Sequence, residues 1–230
     1  MARKPYGTSA GGAARFGAPG QGTVPIPGAS GQGTVPIPGA AAPRPNVDAI
    51  LNDAVQHHRA GRLEQAEAGY RQALTQAPAH PNALHLMGVV SLQKGDPANA
   101  SGFFERAVAV AGNNAEFHAD LGVALMATGR DDTGLVHFQR AAELRPDFAM
   151  AHYNIGLALL QRDDLADAAE SFRRTLRHDP DLGDAHMNLG LVLLRLERGD
   201  EAIRHLRRAI DLKPGDVVAL TNLGTALLET

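Results

Sequence analysis

Cysteine and tryptophan are both absent from the 230 residues. Without a thiol the chain can form no disulfide, thiolate metal site or cysteine nucleophile, so its stability rests on packing. Aromatic residues make up only 4% of a sequence that is 44% hydrophobic, which points to a core of leucine and alanine on helices instead of one anchored on large rings. An excess of one charge is missing too. The 22 basic residues face 25 acidic ones, which leaves no basic field to gather nucleic acid. No run of about 18 apolar residues occurs, so no membrane-spanning helix is expected. Met1-Ala2-Arg3-Lys4 opens with positive charge, but glycines and prolines break up the next residues, unlike a signal peptide. These absences predict a cytoplasmic protein whose partners are neither nucleic acid nor membrane.

What is present divides into two materials. Residues 1–46 hold ten glycines, eight prolines and no acidic residue, a composition that cannot bury enough surface to offset the entropy of ordering it. A disordered tether is expected there. Within it the ten residues from Gly20 to Ala29 reappear as Gly31 to Ala40. The Val-Pro-Ile-Pro core of each copy favours extended, polyproline-like backbone. Two copies of a short motif would gain from effective concentration, but the composition favours a plain linker.

From Val47 onward a period of 34 residues organises the chain. Ala151-His-Tyr-Asn-Ile-Gly156 recurs as Ala185-His-Met-Asn-Leu-Gly190 and again as Ala219-Leu-Thr-Asn-Leu-Gly224. The same ruler places unit starts at Val47, Pro81, Ala115, Ala149, Gly183 and Val217. A column of small residues (Ala66, Ala100, Gly134, Ala168, Ala202) precedes by four a column of bulky ones (Tyr70, Phe104, Phe138, Phe172, Leu206). Small residues let two antiparallel helices approach and the bulky one fills the groove beside them, so each unit is two helices. Gly61, Gly95 and Gly129 stand where a left-handed residue ends the first helix, with Asp163 and Glu197 in the same column. Pro78, Pro146, Pro180 and Pro214 close the units, Gly112 standing where the remaining such proline would fall. Glycine at position 134 should cost about 1 kcal/mol relative to alanine, which predicts that the third unit is the softest.

These columns resemble the tetratricopeptide-repeat (TPR) family over residues 47–230. The resemblance implies an all-α solenoid, a right-handed superhelix of antiparallel helix pairs, with units 47–80, 81–114, 115–148, 149–182 and 183–216 and a half unit 217–230. It also implies a scaffold that binds an extended peptide in a concave groove lined by the first helices. In the last half unit Leu220, Leu223 and Leu227 are expected to face a second helix, with Gly224 and Ala226 leaving room for it. Either this helix is an imperfect cap or the chain is a piece of a longer solenoid that covers that face, the second being favoured, and self-association through the unfinished helix is a third reading.

The groove residues expected from the helix register are Asn52, His85, Asp120, Tyr153, Asn154, Met187, Asn188 and Asn222. A carboxamide both donates and accepts, so an asparagine ladder can hold peptide backbone without reading side chains. A ladder of this kind resembles that of O-linked N-acetylglucosamine transferases, and that resemblance implies, as an alternative, the substrate-recruiting region of such an enzyme, with sulfotransferase or methyltransferase fusions as weaker options. The inward columns contain no Lys or Arg, and Asp48, Glu116, Asp120 and Asp184 flank them. The partner is therefore expected to be neutral to mildly basic and partly apolar, and not a C-terminal carboxylate.

Ten histidines suggest metal, above all His118, His152 and His186. Spacing of one repeat sets these in a line, whereas zinc needs its ligands to converge, so they are read as packing residues and no metal or cofactor is expected. The cluster from His178 to His186 falls in a turn between units and is read as solvated. No phosphate-binding glycine loop, zinc-protease helix or nucleophile elbow is present, so no catalytic residue and no enzyme activity are expected of this chain.

Overall fold

The computed structural model describes residues 46–229. The tether expected over residues 1–46 lies outside them except for Asn46, whose side chain caps the first helix by accepting from Asp48 N at 3.3 Å. Eleven α-helices and no strand occur among the described residues. The first helices of the repeats are α1 (Val47–Arg59), α3 (Pro81–Gln93), α5 (Ala115–Ala127), α7 (Ala149–Gln161), α9 (Gly183–Arg195) and α11 (Val217–Glu229). The second helices are α2 (Leu63–Gln76), α4 (Pro97–Val110), α6 (Asp131–Leu144), α8 (Leu165–His178) and α10 (Gly199–Leu212). The second helices begin three residues before the small-residue column, so that column lies on the first turn's inner side.

Every turn within a repeat is built alike. Gly61, Gly95, Gly129, Asp163 and Glu197 all have positive φ. The residue after each donates its N–H to the carbonyl five positions back, as in Arg62 to His57 at 2.9 Å and Arg198 to Leu193 at 2.9 Å. This bond, with the one from the left-handed residue itself, satisfies carbonyls that the helix end would otherwise leave bare.

The described chain divides into two compact units, one ending at Ala111 and the other beginning at Gly112, the position that lacks the closing proline. In the N-terminal unit α1 to α4 pack around Ile50, Leu51, Ala54, Tyr70, Ala73, Met87 and Val90. The buried Tyr70 hydroxyl meets His58 Nδ1 at 3.1 Å, and His58 Nε2 meets Gln93 Oε1 at 2.9 Å. Burial raises the Tyr70 pKa, so its proton stays on.

In the C-terminal unit α5 to α11 form three helical hairpins and a final single helix. Phe138, Phe172 and Leu206 are fully buried, and each second helix lies close against its first because the facing residue is glycine. A Cβ added at Gly156 would lie 2.7 Å from the Phe172 ring. Thr175, in the column where the other repeats carry Ala73, Ala107, Ala141 and Ala209, is fully buried and satisfied by donating to Ser171 O at 3.0 Å. Gly134 differs from the expectation of a simple weak point. A Cβ there would meet Met126 Cγ at 2.8 Å and Gly122 O at 3.1 Å, so the glycine makes room for the methionine and alanine would not recover the propensity cost.

In α11 the inner face is Ala219, Asn222 and Ala226, all buried, and Leu223 packs partly into the same cluster. Leu223 and Ala226 therefore face the core, not outward as expected. Leu220 and Leu227 do face outward, joined by Val217 and Leu228, the last 89% exposed.

Candidate functional site

Asn52 on α1 is exposed and His85 on α3 is half-buried, its ring centroid 5.5 Å from that of Phe104. Both belong to the N-terminal unit. The other six expected residues lie in the C-terminal unit, where Asp120, Tyr153, Asn154, Asn188 and Asn222 are buried and Met187 is half-buried. The asparagines thus sit within the wall made by the first helices, and Met187 stands further out. Asn188 Nδ2 donates to Tyr153 Oη at 3.1 Å, which ties α9 to α7 and joins two of the expected residues directly. Asn222 is 1% exposed, and its Nδ2 finds no acceptor among the described residues.

Burial, then the Asp184 carboxylate, raises the Tyr153 pKa against the opposing bond from Asn188. The phenol therefore keeps its proton while its oxygen accepts from Asn188, leaving O–H as a donor. Two of the acidic residues near this face are paired. Glu116 meets Arg145 at 3.2 Å and Asp184 meets Lys213 at 2.6 Å, the same two columns one double repeat apart. Exposed pairs of this kind add little stability, but they cancel charge.

The aligned histidines have a common local role. His118, His152 and His186 point Nε2 at the carbonyls of Gly112, Pro146 and Pro180, at 3.1, 2.9 and 3.0 Å. Each first helix is thereby pinned to the turn that precedes it. The sequence reading missed their partners. His118 Nδ1 lies 2.9 Å from His137 Nδ1 and His186 Nδ1 lies 3.0 Å from His205 Nδ1, while His152 stacks on His178. The signal was available, since both bonded pairs are 19 residues apart, reaching from the first helix to the facing turn of the second. Among the described residues no three His, Asp or Glu side chains converge as a metal site would require, and no helix is long and apolar enough to cross a membrane.

Four overlapping stretches, residues 54–115, 92–147, 119–182 and 153–217, match the family model of the tetratricopeptide repeat. That match is to the repeat in general and carries nothing specific to the O-linked N-acetylglucosamine transferases. Among solved structures, the chain is similar to YrrB, described as a TPR protein with an unusual peptide-binding site. The identity is 27%, the match covers 76% of this chain and 90% of YrrB, and the TM-score is 0.64. It is also similar to PilF of Pseudomonas aeruginosa (21% identity, 80% of this chain and 85% of that one, TM-score 0.72). A third similar structure is TTC0263, a thermophilic TPR protein of Thermus thermophilus (23% identity, 80% and 100%, TM-score 0.60). The last two likenesses bear on the fold alone. No curated protein sequence matches the chain.

Proposed function

This chain belongs to the tetratricopeptide-repeat family, and from that premise we propose that it is a protein-interaction scaffold that holds an extended peptide segment against the first helices of its C-terminal unit. The observation that carries the reading is the recurrence on α7, α9 and α11 of an asparagine at one column: Asn154 after Tyr153, Asn188 after Met187 and Asn222 after Thr221. The wall holds amides, a phenol and a thioether with no cation in these columns, which suits a neutral or mildly basic, partly apolar partner. The peptide-binding site for which YrrB is described supports the same use of the fold. The reading assigns the chain a cytoplasmic place of action and no catalysis of its own. A substrate-recruiting arm of a larger enzyme would use the same surface in the same step.

Peptides selected from a random display library on the whole chain provide the test. Their titration should saturate, and Met187→Glu, which changes a half-buried side chain, should weaken it about tenfold or more, while Asn188→Ala should weaken it with the fold intact by circular dichroism. Selected peptides that bind both variants as tightly as the parent chain would place the site elsewhere and show the ladder to be structural.

A further inference from the structure

The turn between α5 and α6 and the end of α7 bound an open cavity of about 310 Å³, lined chiefly by Met126, Asp131, Asp132, Ala158, Gln161 and Arg162. Its cause is legible in the repeat. Asp131, Ala158 and Arg162 stand one period before Leu165, Val192 and Leu196, and those three pack into a single apolar cluster. In the earlier repeat the same positions carry two charges and a side chain of one carbon, so the space stays open. Met126 and Ala158 are buried and form its floor, while the exposed Asp131, Asp132, Gln161 and Arg162 form its rim. Arg162 pairs with Asp132. The Asp131 carboxylate pairs with no cation among the described residues.

We infer that this cavity is a docking site for a lysine side chain of a protein partner. The aliphatic stem lies against Met126 and Ala158, where the following repeat has its own apolar side chains, and the ammonium meets the Asp131 carboxylate with the Gln161 amide oxygen as a second acceptor. The alternatives fit less well. An acidic side chain of similar length brings its charge against Asp131. A purely apolar one covers the Asp131 carboxylate and leaves it without a partner. A lysine carries its charge on one compact group, which can reach Asp131 and stay clear of the Arg162 guanidinium. None of the lining residues belongs to the wall of Tyr153 and Asn188, so this inference stands apart from the proposed peptide site.

The probe is the capped tripeptide Gly-Lys-Gly, titrated into the whole chain while the Met126 methyl resonance is followed by NMR. Its shift should saturate with Kd on the order of millimolar, as suits a single side chain, and added salt should weaken it. The same tripeptide with norleucine in place of lysine should give no saturable shift. Asp131→Asn keeps the size and removes the charge, and it should weaken binding about tenfold or more with the fold intact by circular dichroism. Asp131→Leu, Ala158→Val and Arg162→Leu together restore the side chains of the following repeat, and should abolish binding and raise the thermal midpoint by filling the cavity. Met187→Glu should leave the titration unchanged. The inference is overturned if the lysine tripeptide does not saturate the Met126 shift at tens of millimolar, if the norleucine tripeptide binds as well, or if Asp131→Asn binds it equally tightly. It is also overturned if hexylammonium saturates the site and the tripeptide does not, which would make the ligand a free amine.

Discussion

His186 on α9 and His205 on α10 hold their Nδ1 atoms 3.0 Å apart, a separation that is stable only when one nitrogen bears a proton and the other a lone pair. The Nε2 of His186 faces the Pro180 carbonyl at 3.0 Å and must donate to it, so the lone pair belongs to His186 Nδ1 and the shared proton to His205. Doubly protonating the pair would oppose two N–H groups. Burial is the main cause of a lowered pKa in both rings. For His205, the charge of His186 and then Arg173 and Arg204 add to it, against Glu201, bringing the value to about 4. For His186 the Pro180 bond and Asp181 oppose burial, and Arg208 reinforces it.

Proton binding sets the sign of the pH dependence. Between the ordinary value of 6.5 and about 4 the unfolded chain takes up a proton on His205 that the folded chain resists, and His186 is shifted in the same direction, so stability is full above that window and is lost as pH falls through it. His205→Gln keeps an amide donor for His186 Nδ1 and removes one titrating ring. The thermal midpoint of the parent should fall between about pH 7 and pH 4 more steeply than that of the variant. Parallel profiles would mean that the ring pair does not govern acid sensitivity.

The Gly156 contact with Phe172 yields a pair of opposite predictions for one type of substitution. Gly156→Ala forces a methyl group to within 2.7 Å of a fully buried ring, and relieving that overlap in a rigid core should cost roughly 1–3 kcal/mol. Gly102 lies exposed within α4 with nothing within 4 Å of its Cβ position, so Gly102→Ala should stabilise by about 1 kcal/mol through helix propensity. Urea unfolding of both variants checks the signs. A stabilised Gly156→Ala would show that the hairpin is looser than its packing implies.

Much of this architecture is legible in the sequence because a repeat multiplies each weak signal. One glycine before a phenylalanine is uninformative, but the same pair at Gly88 and Phe104, Gly122 and Phe138, and Gly156 and Phe172 defines a helix-packing register. The left-handed turns were legible at Asp163 and Glu197 for the same reason, although neither residue favours that backbone. The depth of the asparagines was not. Whether Asn154 projects from its helix or lies 1% exposed depends on how closely adjacent helices approach, which residue spacing along one helix does not encode. The division at Gly112 escaped because it depends on contacts across helices, and the histidine pairs were obscured because the unit between them carries Ser171 where the second histidine would stand.

The hydrogen bond from Asn188 Nδ2 to Tyr153 Oη, 3.1 Å long and buried, can be tested as a coupling between repeats. Tyr153→Phe removes the acceptor and leaves a buried amide N–H unpaired, at a cost of about 1–3 kcal/mol. Asn188→Leu removes both the donor and its need for a partner. In a double-mutant cycle by urea unfolding, the second Tyr153→Phe substitution should cost less once Asn188 is leucine, with a coupling of about 0.5–3 kcal/mol. Strict additivity would show that the two groups do not depend on each other.

Glu197 adopts φ +60 in the turn between α9 and α10, where Gly61, Gly95 and Gly129 stand in other repeats with φ +73, +79 and +76. A β-carbon in the left-handed region crowds the following carbonyl, at roughly 1–2 kcal/mol. Glycine relieves that crowding but gives the unfolded chain more freedom to lose, about 0.5–1 kcal/mol. The difference favours Glu197→Gly by about 0.5–1 kcal/mol, enough to raise the thermal midpoint by a few degrees. The reverse change, Gly129→Glu, meets the same balance from the other side and should lower the midpoint by a similar amount. Calorimetry on both decides the matter: if Glu197→Gly lowers the midpoint, the contacts its side chain makes outweigh the backbone strain it carries.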